Sequence, residues 1–209
     1  MSDGRTMILL KCAVWLACLA PLGRLAILGL TTGLGANPIE FVTLSTGTWT
    51  LVWLLASLAI TPLRVLTGWN RLARFRRLLG LFAFTYGTLH FATYVWLDKF
   101  FDINEMLRDV ARRRFITAGA VAFGLMIPLA ATSTASAIRR LGGKRWQRLH
   151  RLVYLSAAAG IVHFWWKVKL DVREPAIYGA VLAALLLARV THAVAGSRRT
   201  STSDDRTPG

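Results

Sequence analysis

The stretch HRLVYLSAAAGIVHFWWK, residues 150–167, holds two histidines thirteen residues apart in one apolar segment. A helix rises ~1.5 Å per residue, so His150 and His163 would be separated by roughly 20 Å, about two thirds of a bilayer core. Imidazole is a common ligand of haem iron, and an ionisable group inside a membrane segment indicates a functional site. The stretch therefore predicts a transmembrane helix that serves stacked metal centres and electron transfer.

Similar apolar segments recur along the whole chain, which has 209 residues, 55% of them hydrophobic. Runs of this length and composition are typical of membrane-spanning helices rather than of a soluble domain. The sequence therefore predicts an all-α fold, a polytopic membrane helix bundle with six transmembrane helices. Their expected ranges are 8–30, 43–62, 78–97, 115–137, 150–167 and 175–194.

The formal net charge of +16 comes mainly from arginines and lysines in the loops between these segments. The loops 63–77 and 138–149 contain no Asp or Glu, whereas acidic residues gather in the loops on the other side. The positive-inside rule then predicts that both termini are cytoplasmic. Topology and contact with anionic lipids explain this charge better than a nucleic-acid partner does.

The loops are short, so residues 1–195 are predicted to form one membrane domain. The polar tail 196–209, rich in Ser, Thr and Arg, is expected to be disordered and cytoplasmic. No GxGxxG motif follows a strand-like run, and no room remains for a flavin and nicotinamide module. Electrons would therefore have to come from another protein or from a lipid-soluble quinol.

The segment 98–114 is expected to form an amphipathic helix on the outer membrane surface. Its apolar residues follow helical spacing, with charges on the other face. They are Ile103, Met106, Leu107 and Val110. The segment is predicted to be either a simple connector that re-enters the bilayer or a docking surface for a partner.

His90 and His163 are predicted to bind one haem iron from opposite faces. The third and fifth segments are one full crossing apart and run parallel, and each histidine lies about thirteen residues into its segment, so their depths match. Gly87 and Gly160, each three residues earlier, are expected to leave room for the flat macrocycle. The alternative is that each histidine is a polar packing residue hydrogen-bonded to a neighbour.

His150 has no histidine at matching depth, and Arg76 and Arg77 occupy that level. A guanidinium group is a poor iron ligand but a good partner for haem propionates. A second haem would thus have one histidine and an unusual opposite ligand, unless His150 is only an interface residue. On an ideal helix His150 and His163 differ by about 140°, so we expect either a distortion near Gly160 or different neighbours. No CxxCH motif occurs, so any haem would be non-covalent, b-type haem.

Several motifs together resemble one family over nearly all of the predicted spans. The chain resembles the ferric reductase-like transmembrane superfamily and, within it, the haem-binding membrane subunits of bacterial periplasmic methionine sulfoxide reductase systems. The matching stretches are LGANP (34–38), ITPLR (60–64), RRLLGL (76–81), TLH (88–90), TST (132–134), WQRLHRLVYL (146–155) and HFWWK (163–167).

The resemblance implies a bacterial inner-membrane cytochrome b that passes electrons from the quinone pool or a cytoplasmic flavin reductase. The acceptor would be a periplasmic molybdenum-containing subunit that reduces methionine sulfoxide in damaged proteins. One or two haem b groups are implied, with His90, His150 and His163 matching the family's histidines, and an FMN whose site the sequence does not locate. Larger members carry two histidines on each of two helices, and this chain has arginine where the fourth would be.

Two other functions stay open on the sequence alone. One is a cytochrome b that oxidises quinol or reduces metal ions without a dedicated partner. The other is a membrane transporter or scaffold whose histidines merely pack. Against a transporter stands the absence of an obvious acidic residue in the middle of a span.

Overall fold

The computed structural model describes residues 2–168 and 170–204, with side chains at 4–168 and 170–192. In this part of the chain the regular structure is entirely helical, which confirms the all-α prediction. The helices are α1 (Ser2–Leu30), α2 (Pro38–Thr67), α3 (Ala73–Ala92), α4 (Ile103–Arg112), α5 (Arg114–Ala131), α6 (Ala135–Leu141), α7 (Gly143–His150), α8 (Leu152–Lys167) and α9 (Arg173–Asp204). A 3-10 turn, Asn70–Leu72, precedes α3, and a π-helical turn, Thr93–Asp98, follows it.

Five helical segments among the described residues are long and apolar enough to cross a membrane. They are Gly4–Leu30, Pro38–Thr67, Asn70–Asp98, Arg114–Ala131 and Arg173–His192. The helix α8 has 16 residues, or about 24 Å, which is less than the ~30 Å of a bilayer core. A count of six spans therefore stays a prediction.

The fourth span ends earlier than the predicted range 115–137. The helix α5 stops at Ala131, and the hydroxyl of Thr132 donates to the Pro128 carbonyl at 2.6 Å. Two residues later the hydroxyl of Thr134 accepts from the Ala137 N–H and begins α6. Threonine hydroxyls compete with the backbone in this way at helix ends, so the apolar residues that follow start a separate helix.

The predicted fifth span, 150–167, is divided at its first turn. The helix α7 ends at His150, Arg151 separates the two helices, and α8 begins at Leu152. His150 and His163 therefore belong to different helices, so the angle between them on one ideal helix does not apply. The expected distortion lies at Arg151 and not at Gly160.

The described end of the chain is helical. The last helix, α9, extends to Asp204, so the predicted tail 196–209 begins inside it. Residues 205–209 lie outside the described residues, and the disorder of the tail stays a prediction.

The centre of the bundle is formed by α2, α3, α5, α8 and α9. Small side chains let these helices approach closely, as membrane helices require. Ala83 on α3 and Ala157 on α8 are fully buried, and the buried Ser156 donates to the Ala122 carbonyl on α5 at 2.9 Å. The most extensive contacts pair α2 with α3 and α5 with α8. The first pair carries His90, on α3, and the second carries His163, on α8; these two residues are called the central histidines.

An ionic cluster anchors α4 beside the end of α3. Lys99 is only 6% exposed and bonds Glu105 and Asp109, with 2.9 Å between its Nζ and Asp109 Oδ2. The hydrogen bonds to Glu105 and Asp109 raise the pKa of Lys99, and the bond from Lys99 lowers the pKa of Asp109. Ile103 and Leu107 on α4 are exposed, as expected for one apolar face of an amphipathic helix.

Candidate functional site

His90 is held by the neighbouring helix α2 rather than by its own helix. Its Nδ1 lies 2.9 Å from the backbone carbonyl oxygen of Thr43. A Cβ atom built on Gly47, one turn further along α2, would lie 3.0 Å from His90 Nδ1 and Cε1. The ring therefore rests against a glycine and donates to the carbonyl four residues before it.

His163 is held in the same way by α5. Its Nδ1 lies 2.6 Å from the carbonyl oxygen of Phe115, and a Cβ atom on Gly119 would lie 2.7 Å from that nitrogen. Gly119 is again four residues after the accepting carbonyl. This carbonyl and glycine arrangement thus occurs twice, once for each of the central histidines.

The two hydrogen bonds fix which ring nitrogen carries the proton. A carbonyl oxygen only accepts, so Nδ1 of His90 and of His163 must be the donor. In each ring Nε2 then keeps its lone pair, and no described residue bonds it. A packing histidine is expected to engage both ring nitrogens, whereas a metal ligand donates one N–H to a carbonyl and offers the other nitrogen.

The structure brings the His90 and His163 rings together, with centroids 5.9 Å apart and planes at 79°. Two imidazole nitrogens on opposite sides of a metal ion lie ~4 Å apart, given bonds of ~2 Å each. Ring centroids are further apart than the bonded nitrogens, so 5.9 Å suits one ion between the two rings. Among the described residues no group of three or more His, Cys, Asp and Glu side chains could hold a metal.

The glycines expected to make room for a macrocycle lie in other contacts. A Cβ atom on Gly87 would meet the Phe123 ring at 3.4 Å and Thr50 at 3.5 Å, and one on Gly160 would meet Leu51 at 3.1 Å. Both positions serve close packing of neighbouring helices. The assignment of Gly87 and Gly160 to the space beside the histidines was wrong, and Gly47 and Gly119 take that place.

Arg76 and Arg77 line a cavity together with His150, here called the His150 cavity. It has a volume of about 240 Å³ and lies between α2, α3, α5 and α7, with Ser57, Met126, Ser133, Trp146 and Val153 among its other lining residues. Arg76 is half-buried and Arg77 is exposed. Among the described residues, neither arginine forms an ion pair, so the cavity presents positive charge without a carboxylate to neutralise it.

His150 is presented differently from the two central histidines. Its Nε2 lies 3.2 Å from the hydroxyl oxygen of Thr132, and the Trp146 ring stacks on it with centroids 3.9 Å apart. Trp146 Nε1 donates to the Thr132 carbonyl at 2.9 Å, which closes the group. Sequence reasoning missed the roles of Thr132 and Trp146, although both lie in motifs that carried the family resemblance.

These residues fit haem at both places, but unequally. The rings of His90 and His163 lie 5.9 Å apart between centroids with their tautomers fixed, which suits two histidine ligands of one haem. In the His150 cavity the two arginines suit carboxylate groups, but the Thr132 hydroxyl occupies the nitrogen that would bind iron. No described feature of the structure marks a flavin site.

The chain is similar to known membrane proteins along most of its length. Residues 43–161 match the family described as ferric reductase like transmembrane component. A protein of Herminiimonas arsenicoxydans named protein-methionine-sulfoxide reductase heme-binding subunit MsrQ is 59% identical over 184 residues, which is 87% of this chain and 84% of that protein. Proteins of the same name are 56% identical in Ralstonia nicotianae (90% and 88% covered) and 48% identical in Rhodospirillum rubrum (88% and 88% covered). No solved structure matches the chain.

Proposed function

We propose that this chain is a membrane cytochrome b that carries electrons to a methionine sulfoxide reductase. The chain belongs to the ferric reductase-like transmembrane family and, within it, to the MsrQ family. The observation that carries the proposal is the matched pair His90 and His163. Each ring is fixed through Nδ1 by a neighbouring helix, its Nε2 has no hydrogen-bond partner among the described residues, and the two ring centroids lie 5.9 Å apart. The MsrQ relatives are named as haem-binding subunits.

The chain's own residues hold and orient a haem b between α3 and α8. The Thr43 and Phe115 carbonyls keep the rings from rotating and raise the basicity of Nε2, as outer partners of metal ligands do. Haem b, when bound, supplies a one-electron couple. Burial and ligation by His90 and His163 would set its potential.

A second haem b is proposed for the His150 cavity, with His150 as the single histidine ligand. Arg76 and Arg77 would bind its propionate groups. Thr132 would then give up its contact with His150 Nε2. FMN is part of the proposal through family resemblance alone, without an assigned site.

The proposed topology has six spans, with both termini cytoplasmic in the bacterial inner membrane. The fifth crossing would begin at the end of α7, at His150, and continue through α8, since only Arg151 separates the two helices. The basic loops 63–77 and 138–149 then lie at the cytoplasmic side together with the His150 cavity. The His90 and His163 pair lies toward the periplasm, where the acceptor would dock.

Electrons would enter from the quinone pool or a cytoplasmic flavin reductase and leave to the periplasmic molybdenum subunit, MsrP. Purified protein in lipid vesicles would be reduced with a quinol, or with NADH and a flavin reductase. Addition of the oxidised molybdenum subunit with methionine sulfoxide should reoxidise the haem. If the haem is instead reoxidised by metal ions and not by the molybdenum subunit, the protein is a cytochrome b without a dedicated partner.

The ligand assignment is tested by haem quantitation and redox-resolved spectra of single histidine variants. We expect His90→Ala and His163→Ala to lose the same low-spin centre and His150→Ala to affect a different one. His192→Ala is the matched control and should keep the wild-type spectrum, since His192 is exposed and is the last residue of the span Arg173–His192. Loss of different centres in His90→Ala and His163→Ala would disprove the pairing, and a wild type without a Soret band would favour a transporter or scaffold.

A further inference from the structure

A buried arginine in the last span has no part in the ligand assignment. Arg189 is the seventeenth residue of the span Arg173–His192 and is half-buried. Placing an arginine inside a membrane span is costly, so its presence indicates a function and a specific partner. Its contacts lie on two other helices of the bundle.

Arg189 caps a carbonyl group that α2 leaves free. Pro62 has no N–H, so the carbonyl of Leu58, four residues earlier, lacks its helical donor. Nη2 of Arg189 donates to that carbonyl at 2.6 Å. Nη1 donates to the Tyr154 hydroxyl on α8, and the guanidinium lies 5.1 Å from the Tyr154 ring centroid. Arg189 thereby joins α9 to α2 and α8.

The cap does not account for the charge of Arg189. Its Nε is buried without a partner, and the ion pairs found among the described side chains all involve Lys99 or Arg113. Arg189 bonds Leu58 and Tyr154, whose chain neighbours Ser57 and Val153 line the same cavity as Arg76, so the two guanidinium groups belong to one region of the bundle. Two like charges in a medium that excludes water repel strongly unless an anion lies beside them.

Arg76 connects this pair of charges to the His150 cavity. It lines the cavity, and it has no hydrogen bond or ion pair with a described residue. Ser57 and Val153 form part of the cavity wall. The residues next to them in the chain, Leu58 and Tyr154, are the hydrogen-bond partners of Arg189, so Arg189 lies behind that wall. Repulsion from Arg189 therefore favours a guanidinium of Arg76 that is directed into the cavity.

We propose that Arg189 is a positioning residue of the His150 cavity, where it keeps Arg76 directed at a carboxylate of the bound cofactor. The ligand group is an organic carboxylate, which the planar fork of Arg76 can bind through two hydrogen bonds. The inference rests on the proposed haem in this cavity, whose propionates are of that class. Arg189 would also add positive charge beside the cavity, which favours the reduced state of a haem bound there.

The test compares haem b with its dimethyl ester, whose carboxyl groups carry no charge. Both would be titrated into purified full-length wild type and Arg189→Leu, and the centre that is lost in His150→Ala would be followed. We expect the wild type to bind the ester roughly tenfold to a hundredfold more weakly than haem b. Arg189→Leu should bind haem b more weakly than the wild type does, should lose less than the wild type on esterification because Arg77 still binds a carboxylate, and should have a lower midpoint potential.

Pro62→Ala provides the control for the capping role. It supplies the missing N–H, so the Leu58 carbonyl no longer needs Arg189. If Arg189→Leu/Pro62→Ala regains wild-type affinity and potential, Arg189 is only a cap and the proposal is wrong; continued weak binding supports it. Arg173→Leu, at the opposite end of α9, should behave as the wild type.

Two further outcomes separate this proposal from the proposed function. If esterification weakens wild type and Arg189→Leu by the same factor, Arg189 does not act through the carboxylate, and the haem assignment still stands. If haem binding weakens when phospholipid is removed but not when the haem is esterified, the anion beside Arg76 is a lipid phosphate. The proposal for Arg189 is then wrong, and the haem assignment still stands. If His150→Ala removes no centre at all, the haem proposed for the cavity is wrong, and this inference is wrong with it.

Discussion

Replacing Gly119 by alanine should displace the His163 ring from the position proposed for iron binding. The new Cβ atom would lie 2.7 Å from His163 Nδ1, and ordinary van der Waals contact begins at 3.4 Å. The ring must therefore move by about 0.7 Å. The same movement lengthens the 2.6 Å bond to the Phe115 carbonyl to as much as about 3.3 Å, beyond the usual limit of ~3.2 Å.

The expected size of the effect follows from the role of that carbonyl. Loss of an outer partner of a metal-binding histidine typically costs ~10–100-fold in metal affinity. Alanine is a better helix former than glycine by about 1 kcal/mol, so α5 itself should remain helical. We therefore expect a folded protein with ~10–100-fold weaker haem binding at the His90 and His163 pair.

The assay is a haem titration that follows the low-spin Soret band, with far-ultraviolet circular dichroism as the check on folding. Gly47→Ala should have a smaller effect, because its Cβ would lie 3.0 Å from the His90 ring and require a shift of only about 0.4 Å. Gly124→Ala, also on α5, is the matched control, since nothing lies within 4 Å of its Cβ.

Haem affinity should fall most in Gly119→Ala, less in Gly47→Ala and least in Gly124→Ala. Wild-type haem affinity and potential in Gly119→Ala would refute this prediction, because His163 could then not rest against α5 in the bound state. An equal loss in Gly124→Ala would show that the effect came from α5 as a whole and not from the His163 contact.

Thr132→Val removes the hydroxyl beside His150 Nε2. We expect a haem titration to show several-fold tighter binding in the His150 cavity and an unchanged low-spin centre. Unchanged binding would show that the hydroxyl does not compete with iron for His150 Nε2. The bond between Lys99 and Asp109 gives a pH dependence. Because the pKa of Asp109 is lowered, its stabilisation is present above the unfolded value of ~3.9 and is lost as pH falls through the folded pKa. Because the pKa of Lys99 is raised, its stabilisation is present below ~10.4 and is lost as pH rises through the folded pKa. Hydrogen exchange of α4 amides, corrected for intrinsic rates, should show full protection at pH 7 and less at pH 3, and equal protection would contradict this. Asp109→Asn at pH 7 should expose α4 to proteolysis, whereas the exposed Asp102→Asn should change it less.

The approach of His90 to His163 was predictable because depth in a membrane bundle follows from position along parallel helices. The same counting placed Arg76 and Arg77 at the level of His150, and all three line one cavity. Counting gives depth but not rotation. Whether a glycine faces a ring depends on how two helices turn relative to one another, so Gly87 and Gly160 were assigned wrongly and Gly47 and Gly119 were missed.

The ends of the helices were less predictable for a different reason. Hydropathy continues past Ala131 and across Arg151, because short apolar stretches flank both points. The helix α5 ends because the hydroxyls of Thr132 and Thr134 form hydrogen bonds with the backbone that compete with helix continuation. A hydropathy pattern does not detect such hydrogen bonds. The predicted end of the fourth span at 137 and start of the fifth span at 150 therefore differ from the observed helix ends, although the helices themselves were expected.

The carbonyl and glycine arrangement makes the bundle internally duplicated. Thr43, Gly47 and His90 have counterparts 72 or 73 residues later in Phe115, Gly119 and His163, in the same chain order. Each half supplies one ring with an acceptor for its Nδ1 proton, with its orientation and with its surface of contact, so the two ligands of an iron between them would be near equivalents. Neither ring can tilt when the charge of that iron changes, because a neighbouring helix already holds it. The duplication would thus keep the reorganisation energy of each electron transfer small.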